Sequence, residues 1–233
     1  MKSDAYQHWI GVCLALTGAA CGDAEQSKPT APACVTQTGT SSNSLIDDFE
    51  DGDNQLPRAT NRHGSWTTIN DGTGIQAPPP DRDGLTPFLM SMPGSPRSPA
   101  YALRSVGWGF TDWGASVVVG LNTTPSGPCS YDASVFSGIR FQAKGNGSFR
   151  VNLGTQETTP VADGGLCASS NCSDYGLPVD LPIDWTEVTV SFADLTQPGW
   201  ASTAPWNAEA IVRLTLWVQR GDFEFWIDDL EFY

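Results

Sequence analysis

From Leu45 onward apolar and polar residues alternate along most of the chain, and Gly, Pro, Asn and Asp interrupt the alternation every ten or so residues. A period of two sends successive side chains to opposite faces, as in a half-buried strand. In Ser137–Ala143 it sets Ile139, Phe141 and Ala143 on one face and Arg140 and Gln142 on the other. Lys144-Gly145-Asn146-Gly147 then leads into Phe149-Arg150-Val151-Asn152-Leu153, which predicts a hairpin. Trp185–Phe192 and Ile211–Gln219 alternate likewise, the second burying Val212, Leu214, Leu216 and Val218. Further strands are predicted at 45–50, 64–69, 85–91, 100–106, 115–121 and 222–232. No ten-residue stretch keeps a 3.6 period, and the proline-rich residues 75–99 read as an irregular loop with at most one edge strand. The expectation is an all-β protein, an antiparallel β-sandwich of jelly-roll type with nine or ten strands, formed by residues 44–233.

The same alternation defines the outward positions Arg140, Gln142, Arg150, Asn152, Arg213, Thr215, Trp217 and Gln219. Most polar sheet faces are simply solvated, but this set mixes planar hydrogen-bonding groups with an aromatic ring. Such a mixture suits hydroxyl-rich ligands, whose C–H faces stack on rings and whose hydroxyls meet amides and guanidinium groups. The face candidates are Arg140, Gln142, Arg150, Asn152 and Trp217; the loop candidates are Trp108, Trp113, Tyr175, Trp200 and Trp206. Trp66, Trp185 and Trp226 lie within strand patterns and are expected in the core.

Composition narrows the partners. Twenty-six acidic residues against 12 Lys and Arg give a formal charge of −14 over 233 residues. A surface of that sign repels phosphate backbones and anionic headgroups, so no nucleic-acid partner is expected. Nine Trp, heavy Gly and Pro usage and only 16% charged residues also argue against coiled coil and general disorder.

The N-terminus carries targeting information. Residues 1–20 have a polar start, an apolar run from Trp9 to Leu16 and the small residues Gly18-Ala19-Ala20, as in an export signal too short to span a bilayer. Cys21 follows at once, and small residues abutting a cysteine resemble the bacterial lipoprotein processing box, with Gly18 where that box usually has Leu. The expectation is lipidation at Cys21, residues 21–43 as a tether, and an exported outer-membrane or cell-surface lipoprotein that meets the membrane only through its lipid anchor. Cys34, Cys129, Cys167 and Cys172 remain, an even number that favours two disulfides over a zinc site. Three pairings are open; proximity in sequence favours Cys167–Cys172, which leaves Cys34–Cys129.

Several segments together resemble a known family. Leu45-Ile46-Asp47-Asp48-Phe49-Glu50-Asp51-Gly52-Asp53 at the start and Phe225-Trp226-Ile227-Asp228-Asp229-Leu230-Glu231-Phe232-Tyr233 at the end look like the opening and closing strands of carbohydrate-binding modules with the galactose-binding-like jelly-roll fold. Tyr101–Arg104, Tyr131–Ser134, Gly138–Gly145 and Asp184–Trp200 occur between them in matching order. The succession resembles cellulase-associated modules and related bacterial surface lipoproteins. The resemblance implies binding of polysaccharide or oligosaccharide, and a structural calcium ion tying the first strand to the last. Its ligands would be Glu50, Asp228, Asp229 and main-chain oxygen near Gly52. Two acidic clusters brought together would repel unless a hard cation accepted their oxygens, which agrees.

Catalytic alternatives find weak footing. A jelly-roll glucanase family carries Glu-x-Asp-x-x-Glu on a strand, but Trp226 stands where the nucleophilic Glu would be in Trp226-Ile227-Asp228-Asp229-Leu230-Glu231. No Gly-x-Ser-x-Gly elbow accompanies His63. Arg140 or Arg150 beside a Tyr imitates a polysaccharide lyase only loosely. The expectation is a non-catalytic glycan binder, with a structural or adhesion lipoprotein, or a lyase or glycosidase, as the alternatives.

Overall fold

The computed structural model describes residues 34–57, 60–80, 89–91, 101–125 and 127–233. The export signal, Cys21 and the tether as far as residue 33 lie outside the described residues, as does most of 81–100. In chain order the strands are β1 (Gln37–Thr38), β2 (Leu45–Asp47), β3 (Trp66–Asn70), β4 (Ile75–Ala77), β5 (Leu89–Ser91), β6 (Tyr101–Phe110), β7 (Ala115–Gly120) and β8 (Thr123–Thr124). They continue as β9 (Gly127–Pro128), β10 (Tyr131–Asp132), β11 (Gly138–Asn146), β12 (Ser148–Thr155), β13 (Tyr175–Asp180), β14 (Thr186–Ser191), β15 (Ile211–Val218) and β16 (Gly221–Phe232).

They form two sheets of seven strands and one small β8–β9 pair. The front sheet runs β3-β7-β15-β12-β13, with β10 also beside the start of β15 and β1 parallel to β10. The back sheet runs β14-β11-β16-β6-β4, with β2 on β16 and β5 on β6. All ladders but β1–β10 are antiparallel. This is the expected β-sandwich of jelly-roll type.

The core lies between the sheets because the alternation points one face of each inward. Val117, Val119, Phe149, Val151, Leu153, Leu214 and Leu216 come from the front; Leu103, Ile139, Phe141, Ala143, Phe223, Phe225 and Ile227 come from the back. Phe149 meets Phe225 edge-on across the gap at 5.3 Å. Each such large side chain contributes roughly 1.5–3 kcal/mol by leaving water. A guanidinium is buried with them. Arg62 is fully inaccessible. It donates to the carbonyls of Leu45 and Asn43 and to the Tyr131 hydroxyl, and it lies over the rings of Tyr131 and Phe232 at 4.8 and 5.1 Å. Burial pulls its pKa below the ordinary guanidinium value, while Tyr131 opposes that pull. Sequence reasoning passed over Arg62 in favour of its neighbour His63, because a buried arginine has no pattern of its own.

Three expectations need correction. Residues 34–43 belong to the domain rather than to the tether, since Cys34 is bonded to Cys129 and Gln37–Thr38 pairs with Tyr131–Asp132. Two short strands, Ile75–Ala77 and Leu89–Ser91, rather than at most one, dock on β6 from the proline-rich stretch. Finally, β11 and β12 are not a hairpin. Gly147, at φ +82°, turns the chain from the back sheet, where β11 pairs with β14 and β16, into the front sheet, where β12 pairs with β13 and β15. The alternation survives that corner, but the partners change.

Candidate functional site

The outward face of the front sheet is a groove of about 1560 Å³. Its floor is set by register. One row crosses the sheet as Pro178, Arg150, Trp217, Ser116 and Ile69, and the next as Gly176, Asn152, Thr215, Val118 and Thr67. A third holds Gly154, Arg213 and Gly120. Neighbouring strands lie about 4.8 Å apart and successive rows roughly 6.8 Å apart, so the floor is a grid of polar and aromatic groups.

Neighbouring groups hold these side chains in place. Arg150 donates from Nε to Asn152 Oδ1 at 2.9 Å and from Nη2 to the Thr196 carbonyl. The pair lies flat over Gly176, where a Cβ would fall 2.0 Å from Asn152 Oδ1 and 2.8 Å from Arg150 Nε. Partial burial lowers the Arg150 pKa. Arg213 grips Asp174 with two bonds, Nε to Oδ2 at 3.0 Å and Nη2 to Oδ1 at 2.8 Å, and adds Nη1 to Thr159 Oγ1 at 3.1 Å. Thr158 donates to the same carboxylate at 3.0 Å. Gly154 again leaves the room, since its Cβ would meet Asp174 Oδ1 at 2.9 Å.

Two walls carry exposed tryptophans. Trp113 is 40% exposed, on the loop between β6 and β7. Asp71 anchors that loop by accepting from Gly114 N at 2.7 Å and Asp112 N at 3.2 Å. The Trp113 carbonyl in turn accepts from Trp217 Nε1 at 2.9 Å. Trp200 is 64% exposed on the opposite loop. Gln197 fastens that loop through Ser173 and Ala204, and the Ser202 N bonds the Asn171 carbonyl beside the Cys167–Cys172 disulfide. Cys167–Cys172, favoured by proximity, and the remaining pair Cys34–Cys129 both form, and Cys34, Cys129 and Cys172 line the groove.

Of the named candidates, Arg150, Asn152, Trp217, Trp113 and Trp200 meet in this groove. The others do not join them. Arg140 and Gln142 belong to β11 and so face outward from the back sheet, with Arg140 donating to Glu231 at 2.8 Å. Trp108 is on β6 of the back sheet, opposite Ile75. Tyr175 opens β13 and packs edge-on against Trp206 at 5.4 Å, its hydroxyl donating to Ala204; Trp206 also abuts Phe192. These two rings support the edge of the core. Trp66 is core as expected, but Trp185 and Trp226 are half-buried on the outer back sheet, both within reach of the Lys144 ammonium. The groove also takes in Arg213, Thr215 and Gln219, outward positions of β15 and its end, together with Asp174, for which sequence offered no signal.

The acidic ends of the domain do meet. β2 pairs with the end of β16 through Leu230 with Asp47 and Glu231 with Leu45. Glu50 is close enough to Asp229 for its carboxyl to be raised, chiefly by burial and then by Asp48 and Asp229. Its Oε2 is buried with no hydrogen-bond partner. Asp228 is buried and accepts from Asp229 N at 2.8 Å, while Phe49 and Asp229 hold φ values of +57° and +48°. Non-glycine residues adopt that region only under constraint from their surroundings. Gly52 occupies an exposed turn. Among the described residues no three acidic, histidine or cysteine side chains converge into a metal cage, so a cation here would take main-chain oxygen as well. An unpartnered carboxylate oxygen beside a second acid fits such a group. Asp47, next to this seam, has its carboxyl pushed up to about 7 by burial, against the bonds it accepts from Trp66 Nε1 and Phe49 N.

Comparison with known proteins finds no matching family model and no match among curated proteins. Solved structures do match. A family 11 carbohydrate-binding module from Clostridium thermocellum, in complex with a β-1,3-1,4-mixed-linked tetrasaccharide, is 13% identical with a TM-score of 0.48, covering 81% of this chain and 94% of that one. The family 11 module of a cellulosomal cellulase of Clostridium thermocellum is 14% identical at TM-score 0.49, covering 81% and 92%. A family 30 module of a cellulosomal cellulase of the same organism is 15% identical at 0.45, covering 72% and 90%.

Proposed function

We propose that this protein binds a polysaccharide or oligosaccharide in the front-sheet groove without transforming it. The observation that carries this reading is the groove's chemistry: Trp113, Trp200 and Trp217 stand around a floor whose amide, hydroxyl and guanidinium groups are held by neighbouring side chains. Rings fixed in advance stack on sugar C–H faces, and prealigned donors meet hydroxyls without losing rotamer freedom at the moment of binding. Affinity electrophoresis of the domain through gels containing soluble glucans, mannans, xylans and acidic polysaccharides tests it. Retardation on at least one, lost in Trp217→Ala, is the expected result, and free migration on all of them overturns the reading. Release of reducing sugar or of unsaturated product would instead reveal an enzyme.

Two further features accompany this proposal. Glu50, Asp228, Asp229 and main-chain oxygen near Gly52 would hold Ca2+ at the seam of the first and last strands; the buried, unpartnered Glu50 Oε2 supports it. Chelator should then lower Tm and added calcium restore it, and an unchanged melt rejects the site. Lipid at Cys21 would hold the protein at the outer membrane or cell surface, as the small residues before that cysteine suggest. Many copies on one surface would then strengthen weak single contacts. Labelled palmitate should enter the wild type and not Cys21→Ala; equal labelling removes the anchor.

A further inference from the structure

Among the arginines whose side chains decorate the two sheets, three carry a carboxylate of their own. Arg104 pairs with Glu224 at 2.7 Å, Arg140 with Glu231 at 2.8 Å and Arg213 with Asp174 at 2.8 Å. Arg150 is the exception. Its hydrogen-bond partners among the described residues, the amide oxygen of Asn152 and the carbonyl of Thr196, are neutral. Among the described residues no carboxylate is bonded to this guanidinium, although it is half-buried on the floor of the groove. The charged groups lining the groove are Arg150, Arg213, Asp163 and Asp174. Arg213 and Asp174 cancel, and Asp163 is exposed on a separate loop at the rim. Arg150 is therefore the groove-lining cation with no carboxylate bonded to it among the described residues, in a protein of formal charge −14.

The side chain is also oriented. Nε and Nη2 are tied down by Asn152 and Thr196, while Nη1 bonds no described residue. Trp217 is the cross-strand neighbour of Arg150 in the same row, and Asn152 holds the guanidinium from the next row. A planar fork with one edge held and the other open is suited to a planar carboxylate, which it meets with two parallel bonds.

Building on the glycan-binding reading above, we propose that the groove selects an acidic glycan, with Arg150 receiving the carboxylate of a uronic acid while Trp217 stacks on the sugar plane beside it. A single cation favours a chain whose uronates are set among neutral sugars. A dense polyuronate meets the long-range repulsion of the whole molecule, whereas an isolated carboxylate in the groove lies well within the Debye length of about 8–10 Å of Arg150.

The test compares each acidic polysaccharide with its own carboxyl-reduced form, which keeps the backbone and loses only the charge. The probes are glucuronoxylan, xanthan, alginate and polygalacturonate at physiological salt, with a sulfated galactan as a further arm. At least one sparsely acidic glycan is expected to bind about tenfold or more tightly than its reduced partner, as one charge-assisted pair supplies. Arg150→Gln should erase that difference, so that the acidic glycan and its reduced form are held alike at whatever affinity remains, which a merely structural role would not do. Arg150→Lys should restore part of it. If Arg150→Gln does not fold, the wild-type comparison and the lysine variant still decide. Equal or tighter binding of the reduced forms, or of neutral glycans alone, overturns the acidic selection and leaves the glycan-binding reading standing. Tighter binding of the sulfated galactan overturns the carboxylate assignment, and tighter binding of polygalacturonate overturns the preference for spaced charge. No retention of any glycan overturns both readings.

Discussion

The outer faces of the two sheets are built from the same residue types and end in opposite conditions. On the back sheet Trp185, Lys144, Trp226 and Arg104 lie side by side across neighbouring strands, each ring within about 5 Å of a cation. Arg104 and Arg140 are further neutralised by Glu224 and Glu231. In this cluster the cations and rings engage one another or a carboxylate, while Trp108, 47% exposed on β6, stands outside it. On the front sheet Trp113 and Trp200 project from loops, Trp217 is braced by a single bond through its ring nitrogen, and Arg150 holds only neutral partners. An aromatic paired with a cation inside the protein consolidates the fold; one held by its edge with its face open is available to a ligand. Residue type alone does not distinguish these roles, but the presence or absence of an internal partner does.

The largest effect is expected at the seam of β2 and β16 in the back sheet. Asp47 is inaccessible, and its carboxyl is raised from 3.8 to about 7. A raised folded-state pKa means that the folded protein binds the proton more tightly than the unfolded chain. The stabilisation is therefore complete below pH 3.8 and is lost as pH rises through about 7. The difference is on the order of 4 kcal/mol, from about 1.4 kcal/mol per unit. Urea unfolding in chelator from pH 4 to 8 should show this decline in the wild type relative to Asp47→Asn; parallel curves would sink it.

The next effect belongs to the front sheet. Gly176→Ala puts a methyl group 2.0 Å from Asn152 Oδ1 and 2.7 Å from the Val151 carbonyl, whereas Gly199→Ala meets nothing within 4 Å. Overpacking at Gly176 should cost about 1–3 kcal/mol in urea unfolding and weaken glycan retention as Arg150 is displaced, with Gly199→Ala neutral in both. Equal behaviour of the two variants would show that the flat seating of Arg150 and Asn152 is unimportant.

Exchanging the tryptophans sharpens the comparison further. Trp217→Ala should lose about 2 kcal/mol of glycan affinity with little change in Tm, while Trp226→Ala lowers Tm and leaves affinity within about twofold. The reverse outcome would move the site to the back sheet. The smallest effect is expected at the back-sheet ion pair. Arg104 and Glu224 are partly exposed, so Glu224→Gln should cost less than about 1 kcal/mol and leave binding unchanged. A larger loss would mean that the pair does more than decorate the surface.

Much of this was legible along the chain. The alternation in Ile211–Val218 named both the buried Leu214 and Leu216 and the outward Trp217; proximity in sequence favoured Cys167–Cys172 and left Cys34–Cys129 as the second disulfide. Arg150, Asn152 and Trp217 were likewise readable as one face. Arg140 and Gln142 were misplaced for an instructive reason: they alternate as regularly as Arg150 and Asn152, and only the corner at Gly147 sends them to the other sheet. Tyr175 and Trp206 looked like loop rings because Gly, Pro and Asn surround them, yet each found the other. Arg62 and Asp174 gave no local sign, since their partners lie at Tyr131 and Arg213, far along the chain.

Local chemistry thus determined what a neighbour in sequence can determine: where strands run, which side of each is apolar, where turns fall, and that the chain would close into a sandwich. Tertiary structure decided the rest. A period of two encodes the two sides of a strand and says nothing about which strand lies beside it, because lateral partners are chosen by hydrogen bonds between residues remote in sequence. Those choices left Arg150 on the groove floor with only neutral partners among the described residues, and brought three tryptophans into the same groove.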